Sequence, residues 1–518
     1  MLVAVTNQTM VSPAMPAIVA DLGGIEHYGW IASSALLTAA VSVPVVGKLS
    51  DVYGRREFYV AGLVVFMLGS ILAGMAPGFW WLVAARAVQG LGMGAVQTLS
   101  LTVLGEIVSP RERGRYMGYL GAVFGVAIVA GPLAGGWIAA SVSWRWLFYA
   151  NLPVAVAALA FVVAFLRLPG VHRKRPLDYA GFVTLGLGLC GVLLAATWGG
   201  ALYPWGSWKI VSLWVGSAAL LAGFVLNEGR AEDAVLPPRL WKDHVFVLAN
   251  VSNLAVSVVM FGAIFFVPLY AQGVIGVGVG GSGAVLVPLL LSAVVVSIVV
   301  GRLITATDRY KGFVLAGLLV LMAGYVLLAG LGYGSTRADL TLATVVVGVG
   351  LGAVMQTYTL VVQNATPRAD LGIATSVTQL SRSMGAAFGP AVFGAVMAAR
   401  MEAEIPKHLP PGASSGSLAN RIAGGEGVGS LLEPGALGGL PPAVVAGVRE
   451  GLAAAMYSTF LVGVPVVAVA LAASVFIREL PLRESAFADE DAVEQGLDGP
   501  DRRTTNGARD SARLDGRR

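Results

Sequence analysis

Gly47-Lys48-Leu49-Ser50-Asp51-Val52-Tyr53-Gly54-Arg55-Arg56 is a short charged turn between two apolar stretches, 28–48 and 58–76. Gly47 and Gly54 permit close approach and unusual dihedrals. Asp51 is spaced to pair with Arg55 and to cap the helix that follows. A turn of this kind between apolar runs of about 20 residues reads as the link between two membrane-crossing helices.

The pattern continues outward in both directions. Apolar stretches run 1–21, 28–48, 58–76, 80–106, 116–140, 146–166, 179–199, 210–228, 245–271, 281–303, 312–332, 340–363, 372–399 and 451–477, which makes 14. Composition agrees. Of the 518 residues, 56% are hydrophobic and 12% charged, against about 25% charged in a soluble domain. The 68 glycines suit close helix packing in a bilayer. Lysine and arginine orient the spans. Loops on one side hold 17 of them, Lys48, Arg55, Arg56, Arg111, Arg113 and Arg115 included, and loops on the other side hold seven. The bias and the even number of spans predict both termini in the cytoplasm of a multi-pass cell (inner or plasma) membrane protein. The first stretch holds Asn7, Gln8, Pro13 and Pro16 and lacks a basic n-region, so no cleavable signal peptide is expected. The tail 478–518 is polar and is expected to be disordered. The loop 400–450 is rich in Gly, Pro and Ala, the one long external segment, with room for a small hairpin.

The chain also repeats itself. Gly90-Leu-Gly92-Met-Gly94-Ala-Val-Gln97 returns as Gly348-Val-Gly350-Leu-Gly352-Ala-Val-Met-Gln356. Ser109-Pro110-Arg111 returns as Thr366-Pro367-Arg368, Gly131-Pro132 as Gly389-Pro390, and Gly47-Lys48 as Gly301-Arg302. The offsets, 258, 257, 258 and 254 residues, agree closely. They predict two six-span halves, 1–166 and 245–477, around an inserted helix pair, 167–244. Halves of the same topology imply a two-fold axis along the membrane normal and a pathway between them.

The residue census removes other classes. A single cysteine, Cys190, gives no disulfide framework or multi-cysteine metal site. His27, His172, His244 and His408 lie in loops without metal-ligand spacing. No nucleotide-binding glycine loop with Lys-Ser/Thr is present. The basic residues sit in short loops and form no nucleic-acid face. No enzyme activity, cofactor or metal is expected.

On these residues the chain resembles the major facilitator superfamily. The turn 47–56 is similar to that superfamily's loop motif, and Arg86-Ala87-Val88-Gln89-Gly90 to its span-4 motif. Gly121, Gly125, Gly131, Pro132, Gly135 and Gly136 resemble the span-5 motif of its antiporters. Fourteen spans, Trp198-Gly199-Gly200, Phe265-Phe266-Val267-Pro268-Leu269-Tyr270-Ala271-Gln272 and Arg382-Ser383-Met384-Gly385 resemble its 14-helix drug:proton antiporter branch. The resemblance covers about residues 1–477. It implies an all-α integral membrane protein of the major facilitator fold, working by alternating access, and protons as the coupling partner.

Several residues then become candidates. Asp51, Arg55 and Glu106, with Gly47, Lys48, Gly54 and Arg56, form a candidate gate at the cytoplasmic end. Arg86 is a charge inside a span, which costs about 2.5 kcal/mol or more at a helix centre, with Gln89 on the same face. Arg382 with Gln379 is its weaker analogue. Asn7, Gln8, Gln97, Gln272 and Gln356 are further candidates for the cavity or proton path, as are Asn253 and Gln363. The span-5 glycines clear one helix face, and Pro132 should bend that span into a hinge or seal. The chain departs from the branch at Asn7, where many antiporters carry Asp, and no carboxylate lies mid-span. Glu106, Asp51, a span-end acid such as Asp339, or the substrate itself would then carry the proton. Only six residues precede Asn7 where the branch usually has ten or more further apolar ones, which points to a start upstream of Met1.

The expected function is export of small hydrophobic or amphipathic molecules by a monomer in the lipid bilayer, coupled to protons. The alternative is a lipid or natural-product exporter with weak or no coupling. A non-transporting receptor leaves the gate in both halves without a purpose.

Overall fold

The computed structural model describes residues 1–23, 29–166, 178–200, 202–230, 234–277, 283–367, 370–410 and 441–482. The described residues form α1 (Leu2–Leu22), α2 (Gly29–Tyr53), α3 (Arg55–Gly74), α4 (Phe79–Ile107), α5 (Pro110–Ser141), α6 (Trp146–Tyr149), α7 (Leu152–Phe165), α8 (Tyr179–Trp198) and α9 (Trp208–Glu228). They continue with α10 (Pro238–Lys242), α11 (His244–Gly273), α12 (Val287–Thr307), α13 (Lys311–Ala329), α14 (Arg337–Val354), α15 (Thr357–Ala365), α16 (Leu371–His408), α17 (Pro442–Leu461) and α18 (Gly463–Phe476). Among the described residues, thirteen helical segments are long and apolar enough to cross a membrane. The helix α1, 21 residues long, corresponds to the first predicted span and packs on α5.

Three predicted spans are interrupted. Span 6 divides into α6 and α7 around Asn151, span 12 into α14 and α15 at Met355–Gln356, and the last span into α17 and α18 at Val462. Helix also reaches into the predicted 400–450 loop, since α16 runs to His408 and α17 starts at Pro442. The hairpin suggested there falls on 411–440, outside the described residues, as do His27, His172, Arg368 and tail residues 483–518. The start of the tail is ordered: Glu479 accepts from the Tyr310 amide (3.1 Å), and the Leu480 amide donates to the Tyr310 hydroxyl (2.8 Å).

Large apolar side chains such as Trp137, Phe161, Phe165, Val215 and Leu226 are exposed on helix faces. That is the expected surface of a protein whose solvent there is lipid. Inside, small residues set the approach of the helices, and their contacts recur at the repeat's offset. Gly90 faces Ala35 and Thr38 of α2, and Gly348 faces Leu289 and Ser292 of α12. Thr38 Oγ1 donates to the Ala87 carbonyl (2.8 Å), and Ser292 Oγ to the Val345 carbonyl (3.2 Å). Gly62 meets Ala95, and Gly317 meets Ala353. The pair α8–α9 packs on itself through Gly188 and Gly191, and α8 lies against α2 and α16. Cys190 is half-buried in α8 beside the small cluster of Leu37 and Leu193.

The helices before residue 167 meet those after 244 chiefly through α5 on α12 and α2 on α16. The span-5 glycines divide between two neighbours. Gly114, Gly118, Gly121 and Gly125 face α12, whereas Gly131 and Gly135 face Thr9 and Met10 of α1. Pro132 lies within α5, which remains one helix from Pro110 to Ser141.

Candidate functional site

The turn 47–56 is tighter than a loop. One residue, Gly54, separates α2 from α3, and its φ of 113° is a left-handed value that favours glycine. Asp51 and Arg55 therefore stay one helical turn apart and pair: Arg55 Nη2 donates to Asp51 Oδ1 (2.9 Å). Arg55 Nη1 reaches Glu106 Oε2 at the end of α4 (2.7 Å). All three side chains are about nine-tenths buried. The helix capped by Asp51 is not the following one. Its carboxylate accepts from the amides of Gly372 (3.2 Å) and Ile373 (3.0 Å) at the start of α16, 321 and 322 residues away. Those amides are free donors of a helix N terminus, where a carboxylate is stabilised by both bond and dipole. Gly47 permits the approach, because a Cβ there would lie under 3.0 Å from Ser376. Arg56 donates to the Val163 carbonyl (2.8 Å), tying α3 to α7, and Lys48 is buried.

The second crossing repeats the arrangement with a neutral residue. Thr305 stands where Asp51 does, and its Oγ1 accepts from the Arg115 amide (3.1 Å) near the start of α5. A Cβ at Gly301 would collide with the Gly114 carbonyl. Arg113, read from sequence only as a loop charge, is buried: it donates to the Val108 carbonyl (2.9 Å), the Gly105 carbonyl and the Gln363 carbonyl (3.4 Å). Gln363 Nε2 donates to the Leu101 carbonyl and Thr375 Oγ1, each at 3.1 Å. It is a clasp between α15, α4 and α16.

Deeper in the first six spans lies a second polar cluster. Arg86 is 1% exposed. Its Nη1 donates to Asn7 Oδ1 (2.8 Å) and to Gln89 Oε1, and its Nε to the Ile31 carbonyl (3.2 Å). Gln89 Nε2 donates to Ser70 Oγ (2.6 Å). The Phe148 ring lies 5.8 Å from the guanidinium carbon. Hydrogen bonds to a charged group contribute about 1.5–3 kcal/mol each, enough for three to offset the cost of the intramembrane charge. Asn7 Nδ2 has no partner among the described residues. At the corresponding places after residue 244 stand Thr344 and Val347, so the cluster belongs to one side only.

Other candidates divide. Gln379 Nε2 donates to Gln97 Oε1 (3.0 Å), joining α16 to α4. Asn253 Nδ2 donates to the Thr378 carbonyl (2.8 Å). Arg382 and Gln356 are buried around Met355. Gln8 and Gln272 are half-buried and join neither cluster. Asp339, a suggested proton carrier, is the acid of a capping box: it accepts from the Thr336 amide (2.8 Å) at an exposed helix start.

The family model described as Major Facilitator Superfamily matches residues 1–390. The chain belongs to this superfamily. It is 38% identical over 485 residues to an uncharacterized MFS-type transporter of Mycobacterium tuberculosis (strain ATCC 25618 / H37Rv), covering 93% of this chain and 69% of that one. It is 34% identical over 504 residues to the multidrug transporter protein MdtP of Bacillus subtilis (strain 168), covering 94% and 93%. The crystal structure of the human organic anion transporter MFSD10 matches with a TM-score of 0.58 at 16% identity, over 90% of this chain and 96% of that one. The superfamily's fold agrees with the helices seen here. This is a multi-pass membrane protein of a transporter family.

Proposed function

We propose that this superfamily member exports hydrophobic or amphipathic small molecules across the cell membrane by alternating access. Residues 1–166 and 245–477 act as two rocking halves, and residues 167–244 as an accessory pair. Both termini face the cytoplasm, on the side of the arginine-rich loops. The observation that carries this reading is the Asp51 carboxylate, which links the halves at the basic end through the Gly372 and Ile373 amides while Arg55 holds it to Glu106. A latch of this kind stabilises the state closed to the cytoplasm and must part for the other. The multidrug name of the Bacillus relative supports efflux as the direction and drugs as the solutes.

Proton antiport is the proposed energy source. Asp51 and Glu106 are the carboxylates best placed to carry the proton, because opening the latch changes the surroundings of both. Arg86, Gln89 and Asn7 hold the pathway wall in the first half, and Gly114, Gly118, Gly121 and Gly125 of α5 seal it against α12. A second reading, uncoupled export, is favoured by one observation: Arg86 faces Asn7 and Gln89, which do not titrate. Reconstituted vesicles with an imposed pH gradient separate the two. Gradient-driven dye efflux that ceases when the gradient is collapsed supports antiport. Efflux that persists unchanged refutes it and leaves the uncoupled exporter.

A further inference from the structure

The seam between α5 and α12 ends, on the basic side, in an unbalanced charge. Arg111 pairs across it with Asp308 (3.3 Å). Arg115 and Arg302, further along the same seam, are exposed and have no acid in ion-pair contact among the described residues. Glu112, one turn before Arg115, acts on it only from longer range. Both guanidinium groups bond instead to tyrosine hydroxyls of α5. Arg115 Nη2 donates to Tyr116 Oη (3.1 Å), and Arg302 Nη2, from the other half, donates to Tyr119 Oη (3.4 Å). The two tyrosine rings meet edge to face, with centroids 6.2 Å apart. One arginine from each half therefore converges on one aromatic pair.

The helix faces that carry them are lipid faces. Along α5, Tyr119 and Val126 are exposed in line with Arg115. Along α12, Leu291, Val295 and Val299 are exposed and lead at the same spacing to Arg302. Gly118 and Gly301 hold the two helices in close backbone approach beneath these ridges. Helix α5 has 32 residues, about 48 Å, enough to cross the hydrocarbon and both headgroup layers. Arg115 lies five residues from its start, about 7.5 Å along the axis, which is headgroup depth. A lone basic residue there extends into water. Two guanidinium groups gathered on one tyrosine pair repel each other, and an anion between them turns that repulsion into charge-assisted hydrogen bonds.

We propose that this seam binds one anionic phospholipid of the leaflet at the basic end. Its phosphodiester oxygens accept from Arg115 and Arg302, and its acyl chains lie along Val126, Val295 and Val299. Because each half supplies one arginine, the headgroup fastens the α5–α12 crossing and favours the state closed to the cytoplasm. The binding needs no transport to be true; its effect on the closed state rests on the alternating-access reading above.

Native mass spectrometry of the purified full-length chain in a neutral detergent tests the site, with dioleoylphosphatidylglycerol and dioleoylphosphatidylcholine as the probes. The first phosphatidylglycerol should bind about tenfold tighter than phosphatidylcholine. Arg115→Gln with Arg302→Gln should weaken phosphatidylglycerol about tenfold and leave phosphatidylcholine unchanged. Arg230→Gln with Lys242→Gln removes the same charge from another exposed stretch of the basic side and should change neither. Equal binding of the two lipids overturns the proposal. So does an equal loss in both double variants, which would mean diffuse attraction, or displacement of the lipid by inorganic phosphate at matched ionic strength, which would mean a plain anion site. If the first double variant does not fold, Arg302→Gln alone decides, with a several-fold loss expected. In inside-out vesicles, phosphatidylglycerol should slow maleimide labelling of Ser376→Cys, with Cys190→Ser, several-fold relative to phosphatidylcholine. An equal rate with the lipid bound would overturn the bridging role and leave the transport reading standing.

Discussion

Asp51→Asn tests the latch most sharply among single substitutions. Asp51 receives Arg55 and two α16 amides in a buried setting. Neutralising one partner of a buried ion pair costs about 3–5 kcal/mol. Asparagine keeps an oxygen for the Gly372 or Ile373 amide, and Arg55 keeps Glu106, so the lower end applies. About 3 kcal/mol moves a two-state equilibrium about 150-fold. A protein closed at the basic end most of the time would then be open there most of the time. Ser376→Cys, in a background with Cys190→Ser, reports this directly, since Ser376 is fully buried against Gly47 in the closed state. In inside-out membranes, Asp51→Asn should raise the rate of maleimide labelling at position 376 by one to two orders of magnitude. Transport should fall while Tm in detergent changes little. An unchanged labelling rate would refute the latch.

Two further substitutions probe the rest of the account. Gly301→Ala puts a Cβ against the Gly114 carbonyl and should cut transport at least tenfold by preventing closure of α5 on α12; Gly206→Ala, with open space around it, is the neutral control in the same dye-efflux assay. Asn7→Asp gives Arg86 a charged acceptor at the present 2.8 Å contact and removes an orphaned amide. It should add about 1–3 kcal/mol of stability, read as a higher Tm, and make efflux more sensitive to collapse of the pH gradient than in the wild type.

The fold was legible because each of its rules is local. Span length, the lysine and arginine bias and the turn 47–56 needed no tertiary knowledge. The grouping of Arg86 with Gln89 followed from helical spacing, whereas the Asn7 contact, 79 residues away in sequence, emerged only from the structure. What escaped notice has weak local signals. The partners of Asp51 are backbone amides of α16, and any residue supplies an amide; the sequence therefore suggested the following helix as the one capped. Thr305 is chemically unlike Asp51, so its equivalent role emerged only from position. The break at Met355–Gln356 was hidden by an unbroken apolar run, although the extra residue in Gly352-Ala-Val-Met-Gln356 relative to Gly94-Ala-Val-Gln97 marks it in hindsight. Arg113 reads as an ordinary loop charge unless the approach of α15 is known. The Tyr310–Glu479 contact lay beyond reach because the tail's composition is polar throughout.

The central claim is that the α2–α16 contact must open and close in every transport cycle. Alkylation of Ser376→Cys, with Cys190→Ser, tests it, because position 376 is buried against Gly47 when the contact is closed. The account predicts that maleimide reaching position 376 from the basic side of reconstituted vesicles during turnover abolishes dye efflux, since the adduct holds the contact open. Undiminished efflux with position 376 fully labelled would contradict it.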